Sequence, residues 1–288
     1  MGGLLSSSVA ADEFSGKTVW VVGASSGIGE AMAEAYYQRG AKVIVSARRE
    51  QALEDLVQRL KSSPAAPGAD AKALVVDTAD LDKAKANAEA ALEAFGPIDV
   101  VVLSAGISNR GSVADTDISV EQRLFQVNFF GTVAITKAML PHFFEHGSGC
   151  FVVVSSVQGL MGLPQRAPYA ASKHALHGYF ESLRAEVAHK NVAVHIVCPG
   201  YVKTDLSNRA LTTSASAEYA KTDETTASGF EPKYVAERSL TEIKNKKEYI
   251  VIAQTKAVLA LWLRKHFPSV LRKIMNARGK AADTAHAA

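Results

Sequence analysis

Cysteine is nearly absent from this chain: Cys150 and Cys198 are the two among 288 residues, and both sit in apolar runs. Such usage argues against a disulfide framework, and no spacing of His, Cys, Asp or Glu suits a metal, so none is expected. The longest apolar run in the C-terminal region, Ala257–Leu263, falls far short of the roughly 20 residues that span a bilayer. A secretory signal, an internal repeat and a C-terminal Ser-Lys-Leu are missing too, which predicts a cytosol-facing, non-secreted protein. Acidic residues are scarce at the C-terminal end. Residues 256–288 hold seven Lys/Arg and one acid, Asp283, whereas the preceding 255 residues net −3. The overall charge of +3 therefore belongs to the tail, and nucleic-acid binding by the main body is not expected.

With 48% hydrophobic residues, the chain can bury one large core. Runs rich in β-branched residues recur near 17–23, 41–46, 72–76, 98–103, 149–155, 191–198 and 248–252, with helical patterns between them. This alternation predicts an α/β fold, a parallel sheet of about seven strands with helices on both faces. Pro64-Ala-Ala-Pro67-Gly68 marks a surface loop before the third strand.

The first strand run, Val19–Val22, leads into Gly23-Ala-Ser25-Ser26-Gly27-Ile28-Gly29 and then a helical pattern through Arg39. Strand, glycine-rich turn and helix in that order form a cradle for a pyrophosphate. Gly23 permits the tight turn, Gly27 lets backbone approach the phosphates, and Gly29 lets helix pack on strand. Amides at the helix start then bind the anion. At the end of the second strand stands Ser46-Ala47-Arg48-Arg49, with no acid to hold an adenosine ribose. A guanidinium matches a 2′-phosphate instead, which favours NADP(H), with Arg48 as its contact.

Tyr169 and Lys173 are four residues apart, and Ser156 ends the apolar run Cys150–Val154. On a helix, positions i and i+4 share a face, so phenol and ammonium project into one space. An ammonium so placed is expected to lower the tyrosine pKa and make a general acid for a carbonyl oxygen. A hydroxyl at a strand's carboxyl end lies where open α/β sheets bind ligands. His174 faces a different side of the helix from Tyr169 and reads as structural.

With these residues placed, the chain resembles the short-chain dehydrogenase/reductase family over about residues 15–253. The markers run in family order: Gly23-x-x-x-Gly27-x-Gly29, Asp77, Ala105-Gly106, Asn128, Ser156, Tyr169/Lys173 and Pro199-Gly200-Tyr-Val-Lys-Thr204-Asp. The resemblance implies a Rossmann-type doubly wound sheet and a catalytic tetrad of Asn128, Ser156, Tyr169 and Lys173. In it, Lys173 also binds nicotinamide ribose and Asn128 holds a water. Cofactor contacts are implied from Asp77 and Thr78, from Ala105 and Gly106, and from Pro199, Gly200, Val202 and Thr204, besides the glycine turn. Segments 105–111, 155–159, 169–175 and 199–207 look closest to the dehydrogenase/reductase member 7 group, which includes membrane-associated enzymes. Its 7B branch is linked to reduction of acyl-dihydroxyacetone phosphate. Two departures stand out: Val22 replaces the usual Thr, and Leu103-Ser104 the usual Asn-Asn. A polar contact between neighbouring strands is thus expected to have become apolar.

Outside the motifs, residues 205–229 are rich in Ser, Thr and Ala and are expected to form a lid. Arg110 and Arg166 follow the fourth and fifth strands and could reach the cleft to bind a phosphate, or lie solvated at the surface. In Lys256–Lys280, Pro268 separates two short helices whose Trp262, Phe267, Leu271 and Ile274 alternate with basic side chains. That pattern suits a helix lying in a headgroup layer on an intracellular membrane, or an apolar face packed on the core or another subunit. Met1-Gly2-Gly-Leu-Leu-Ser6 fits an N-myristoylation pattern. The expected organisation is an N-terminal segment 1–14, a catalytic domain 15–253 and a basic tail 254–288, in a homodimer or homotetramer. The expected function is NADP(H)-dependent reduction of a hydrophobic carbonyl in lipid metabolism. A retinoid, steroid or general carbonyl dehydrogenase is the alternative, and a non-catalytic scaffold a third reading.

Overall fold

The first strand run, Thr18–Val22 (β1), is buried at every position, as a strand covered on both faces must be. A computed structural model describes residues 14–287, with side chains as far as Ala281. The remaining strands are β2 (Lys42–Ala47), β3 (Asp70–Val75), β4 (Val100–Leu103), β5 (Gly149–Val154), β6 (Val192–Pro199) and β7 (Tyr249–Ile252). They form one sheet in the order β3-β2-β1-β4-β5-β6-β7, every pair parallel.

Parallel neighbours need crossovers, and these supply the two helical layers. On one face lie α1 (Gly27–Gln38), α2 (Glu50–Ser62) and, after the later strands, Pro232–Lys244. Their Met32, Tyr36, Leu53, Leu56, Val235 and Leu240 share one core cluster with the sheet. The opposite face carries α3 (Ala84–Phe95), and then Gly131–His146 and Ala167–Val187, whose Ile135, Phe143, Leu176 and Phe180 build the second cluster. Numbered in chain order, α4 is Ile118–Phe125, α5 Gly131–His146, α6 Ala167–Val187, α7 the short Glu224–Ala227 and α8 Pro232–Lys244. The chain winds outward from β1 to β3, then returns to place β4 on the other side of β1. The crevice above the carboxyl ends of β1 and β4 is the ligand site that such a reversal creates.

Two local features shape that crevice. Val22 and Leu103 are register partners across β1 and β4, and both are buried, so the expected polar-to-apolar exchange between these strands is present. A π-helical turn, Gln126–Phe130, joins α4 to α5 and buries Asn128 completely. Such wide turns interrupt the regular ladder and often mark functional sites.

Beyond the sheet, α9 (Thr255–His266) and α10 (Pro268–Ala287) confirm two tail helices with Pro268 at their junction. The second is longer than expected, at 20 residues. Among the described residues, no helix is long and apolar enough to cross a membrane. The Gly2 acylation pattern lies outside the described residues.

Candidate active site

A cleft of about 660 Å³ opens above the strand ends. The glycine turn forms one wall. Gly23 takes φ +94°, and a Cβ there would sit 2.4 Å from the Ala105 backbone nitrogen. A Cβ on Gly29 would sit 2.2 Å from the Gly23 carbonyl oxygen, so helix α1 can start this close to β1 only with glycine. Ser26 precedes α1 without capping it through its side chain, which leaves the first amides of the helix for an anion. Arg49 Nη2 donates to the Ser25 carbonyl and hydroxyl, each at 2.9 Å, and to Ser26 Oγ at 3.1 Å. Arg48 lines the cleft beside it. Two guanidinia, Arg48 and Arg49, therefore flank the turn. A dinucleotide fits this wall: a cradle with no room for side chains, unspent amides and positive charge.

At the floor, α6 carries Tyr169 and Lys173 on one face, both buried, and Ser156 follows β5. The Ser156 hydroxyl is hydrogen-bonded to the Tyr169 phenol and also accepts from the Gln158 amide at 3.1 Å. Lys173 Nζ donates to the Val154 carbonyl at 2.9 Å and lies 5.8 Å from the Tyr169 ring centroid. Asn128 Oδ1 accepts from Ile107 N at 2.8 Å, and its Nδ2 donates to Ile107 O and Ser172 Oγ, each at 3.0 Å. Its amide group thus clasps the segment after β4 to α6. Gly106 stands between these groups: a Cβ there would be 3.3 Å from Asn128 Oδ1 and 3.5 Å from Lys173 Nζ.

The electrostatics differ from the expectation that Lys173 acidifies the phenol. Burial raises the Tyr169 pKa above 10, and the opposing influences are the Ser156 hydrogen bond and then the charges of Arg110 and Arg166. Desolvation drops Lys173 itself to about 8. Arg110 and Arg166 are 9% and 8% exposed, so the alternative of solvated surface arginines is overturned. Both line the cleft and share one carboxylate oxygen: Asp223 Oδ2 lies 2.6 Å from Arg110 Nη2 and 2.8 Å from Arg166 Nη2. Burial would raise Asp223, but the hydrogen bond and charge of Arg110, with Arg166 behind it, hold it below the usual carboxylate value.

Asp223 belongs to the segment 205–229, which lies along the cleft through Asp205, Leu206, Ser207, Arg209, Leu211 and Thr226. Bridges from Leu211 to Asn109 and Glu218 tie it down. Sequence reasoning missed Asp223, because an acid in a polar segment carries no signal until its partners are known. It also missed Tyr201, whose backbone is bonded at both N and O by the Gln254 side chain, and Gln158, whose buried Oε1 is unpaired.

Of the residues expected to hold a cofactor, Gly23, Ser25, Ser26, Gly27, Ile28, Arg48 and Thr78 line the cleft, as do Ala105, Gly106, Tyr169, Lys173, Pro199, Gly200, Val202 and Thr204. Gly29 stands behind the turn. Asp77 does not line the cleft; it is exposed, and its Oδ1 accepts from Ala79 N at 3.0 Å in a local turn, while Val76 and Thr78 face inward. His174 bonds the Ala170 carbonyl of its own helix at 2.8 Å, a structural use. The two cysteines are free, and burial pushes both thiols up to about 12. Among the described residues no group of side chains suits a metal.

A nucleotide-sized cleft at the sheet's reversal, floored by Ser, Tyr and Lys, defines an oxidoreductase of the doubly wound class. The short chain dehydrogenase family model matches residues 17–215, and the chain belongs to the short-chain dehydrogenase/reductase family. It is 42% identical to a dehydrogenase/reductase SDR family protein 7-like of Drosophila melanogaster, across 95% of this chain and 84% of that protein. With dehydrogenase/reductase SDR family member 7B of Bos taurus the identity is 40%, across 91% and 81%. Among solved structures, a short-chain dehydrogenase/reductase from Burkholderia phymatum in complex with NAD superposes with a TM-score of 0.78 at 26% identity, covering 90% of this chain and 96% of that one.

Proposed function

We propose that this chain reduces the carbonyl of a hydrophobic substrate with NADP(H). The reading is carried by the hydrogen-bonded pair of Ser156 and Tyr169 hydroxyls on the cleft floor, beside Lys173. The nicotinamide cofactor supplies hydride to the carbonyl carbon when bound. Ser156 and Tyr169 hold the carbonyl oxygen, and Tyr169 gives it a proton as negative charge develops there. Arg110 and Arg166 favour the phenolate that remains. Asn128 keeps Ile107, and with it the Ala105-Gly106 wall, in place against α6.

The choice of NADP(H) rests on Arg48 and Arg49 with no acid at the end of β2. A 2′-phosphate finds two guanidinia there, whereas an unphosphorylated ribose finds no carboxylate. For the substrate, acyl-dihydroxyacetone phosphate is the candidate the family resemblance offers. Its phosphate matches Arg110 and Arg166, and lipid metabolism would be its setting. A second reading, a retinoid, steroid or general carbonyl dehydrogenase, is favoured by the apolar Ile107, Leu206 and Leu211 in the wall. Residues 15–253 carry the catalysis in either case, residues 254–288 form an appended tail that touches an intracellular membrane, and pairing through the helices bearing Asn128 and Tyr169 gives a homodimer or homotetramer.

Tyr169→Phe tests the proposal. Turnover is expected to fall about a thousandfold, with NADPH binding, read by fluorescence, within a few-fold of the parent. Retained turnover refutes the assignment. Comparing NADPH oxidation with acyl-dihydroxyacetone phosphate, retinal and a keto-steroid separates the two substrate readings. No oxidation with any of a wide carbonyl panel would restore the scaffold reading.

A further inference from the structure

Three hydrogen bonds tie the tail to one residue of the cleft wall, Tyr201. Gln254, the residue before α9, accepts from Tyr201 N at 3.1 Å and donates to Tyr201 O at 2.8 Å. From the middle of α10, Arg278 donates to the Tyr201 hydroxyl at 3.2 Å. Leu271, seven residues before Arg278 and so on the same stripe of the helix, is buried. Tyr201 itself lines the cleft, and its phenol also bonds Thr225 of the segment over the cleft.

Away from these fastenings the hairpin exposes large apolar side chains. Val258, Leu259 and Trp262 fall on one arc of α9, while Phe267 at the junction and Val270 and Ile274 on α10 follow i, i+3, i+7 spacing; all six are exposed by 45% or more. The Trp262 and Phe267 rings meet at 5.4 Å, which joins the two arcs across the bend at Pro268. Around them stand Lys256, Arg264, Lys265, Arg272, Lys273 and Lys280, with no acid between 256 and 280. Acids and bases are mixed over the rest of the chain, so this contrast is specific to the hairpin. An apolar stripe framed by cations alone complements one kind of surface, a bilayer bearing anionic headgroups.

We infer that the α9–α10 hairpin docks on an anionic lipid surface and, because Gln254 and Arg278 both bond Tyr201, holds the mouth of the cleft against that surface so that a bilayer-dissolved carbonyl compound enters from the lipid side. The twelve residues of α9 reach about 18 Å, so the apolar patch lies within about that distance of the cleft wall. The inference rests on the reductase reading for its second half alone; docking stands or falls separately.

Vesicle flotation of the full chain tests the docking. Binding is expected to phosphatidylcholine vesicles containing phosphatidylserine and to be much weaker without it. Trp262 fluorescence should shift to the blue on binding, since the other tryptophan, Trp20, is already buried. The double variant Trp262→Glu/Ile274→Glu is expected to lose at least about tenfold in partitioning, with reduction of cyclohexanone in water unchanged. Arg278→Gln tests the coupling. It should keep vesicle binding and cyclohexanone reduction, yet raise KM for an eighteen-carbon methyl ketone dissolved in the vesicles at least about threefold, the low end of the net worth of one ordinary hydrogen bond. Absence of flotation with cyclohexanone still reduced overturns the docking. So does a patch variant that changes the oligomeric state and leaves flotation intact, because a second copy then covers the patch. An Arg278→Gln protein identical to the parent on both ketones overturns the coupling. If the parent reduces neither ketone, the reductase reading has failed, and flotation still decides the docking.

Discussion

Lys173 holds its charge at a disadvantage. Desolvation lowers its pKa from 10.5 to about 8, which corresponds to about 3 kcal/mol lost from folding at neutral pH. The sign follows from proton counting: between about pH 8 and 10.5 the unfolded chain binds more protons at this site, so stability rises with pH there. Below pH 8 the deficit is present in full. Lys173→Met is therefore expected to raise the melting temperature at pH 7 while abolishing turnover, and calorimetry with a carbonyl assay checks both halves. In the parent, kcat/KM for reduction should decline above a pKa near 8 as the ammonium is lost; a pH–rate profile flat to pH 9.5 would contradict that assignment. The i, i+4 spacing of Tyr169 and Lys173 was legible in the sequence. The reach of Arg110 to the phenol was not, because it is 59 positions away and meets it only through the fold.

At the scale of elements, the strands could be read directly. Runs such as Val100–Leu103, buried at every position, are unmistakable when both faces of a sheet are covered. The segment 205–229 is the opposite case. Its composition suggests a lid, yet its attachment depends on Asp223 meeting arginines 113 and 57 positions earlier, a pairing without local periodicity. Asp223→Ala leaves two guanidinia buried without their carboxylate and is expected to destabilise the fold by about 3 kcal/mol, read as a lower urea midpoint. Replacing Arg110, Arg166 and Asp223 together with apolar residues should recover most of that loss while removing any preference for a phosphorylated ketone. The π-turn at Gln126–Phe130 was likewise invisible, since its i→i+5 bonding serves to seat Asn128 and leaves no pattern in the surrounding apolar residues.

For the molecule as a whole, cofactor choice should register as stability. A ligand that binds only the folded chain adds about 2.7 kcal/mol at a hundred times its Kd, so at equal concentration NADPH is expected to raise the melting temperature more than NADH. Arg48→Ala/Arg49→Ala should lower NADPH affinity about tenfold or more and leave NADH within a few-fold; equal shifts from both cofactors in the parent would remove the preference. The Arg110–Asp223–Arg166 cluster has a further consequence at this scale. Its charges are shielded from solvent, so mobile ions, whose screening length shrinks to about 3 Å at 1 M salt, have little access to it. The cationic hairpin has no such shelter. Concentrated sodium chloride should thus wash the protein from vesicles yet leave the roof over the cleft fastened, so that reduction of cyclohexanone in water persists after release while access to a bilayer-dissolved ketone is lost.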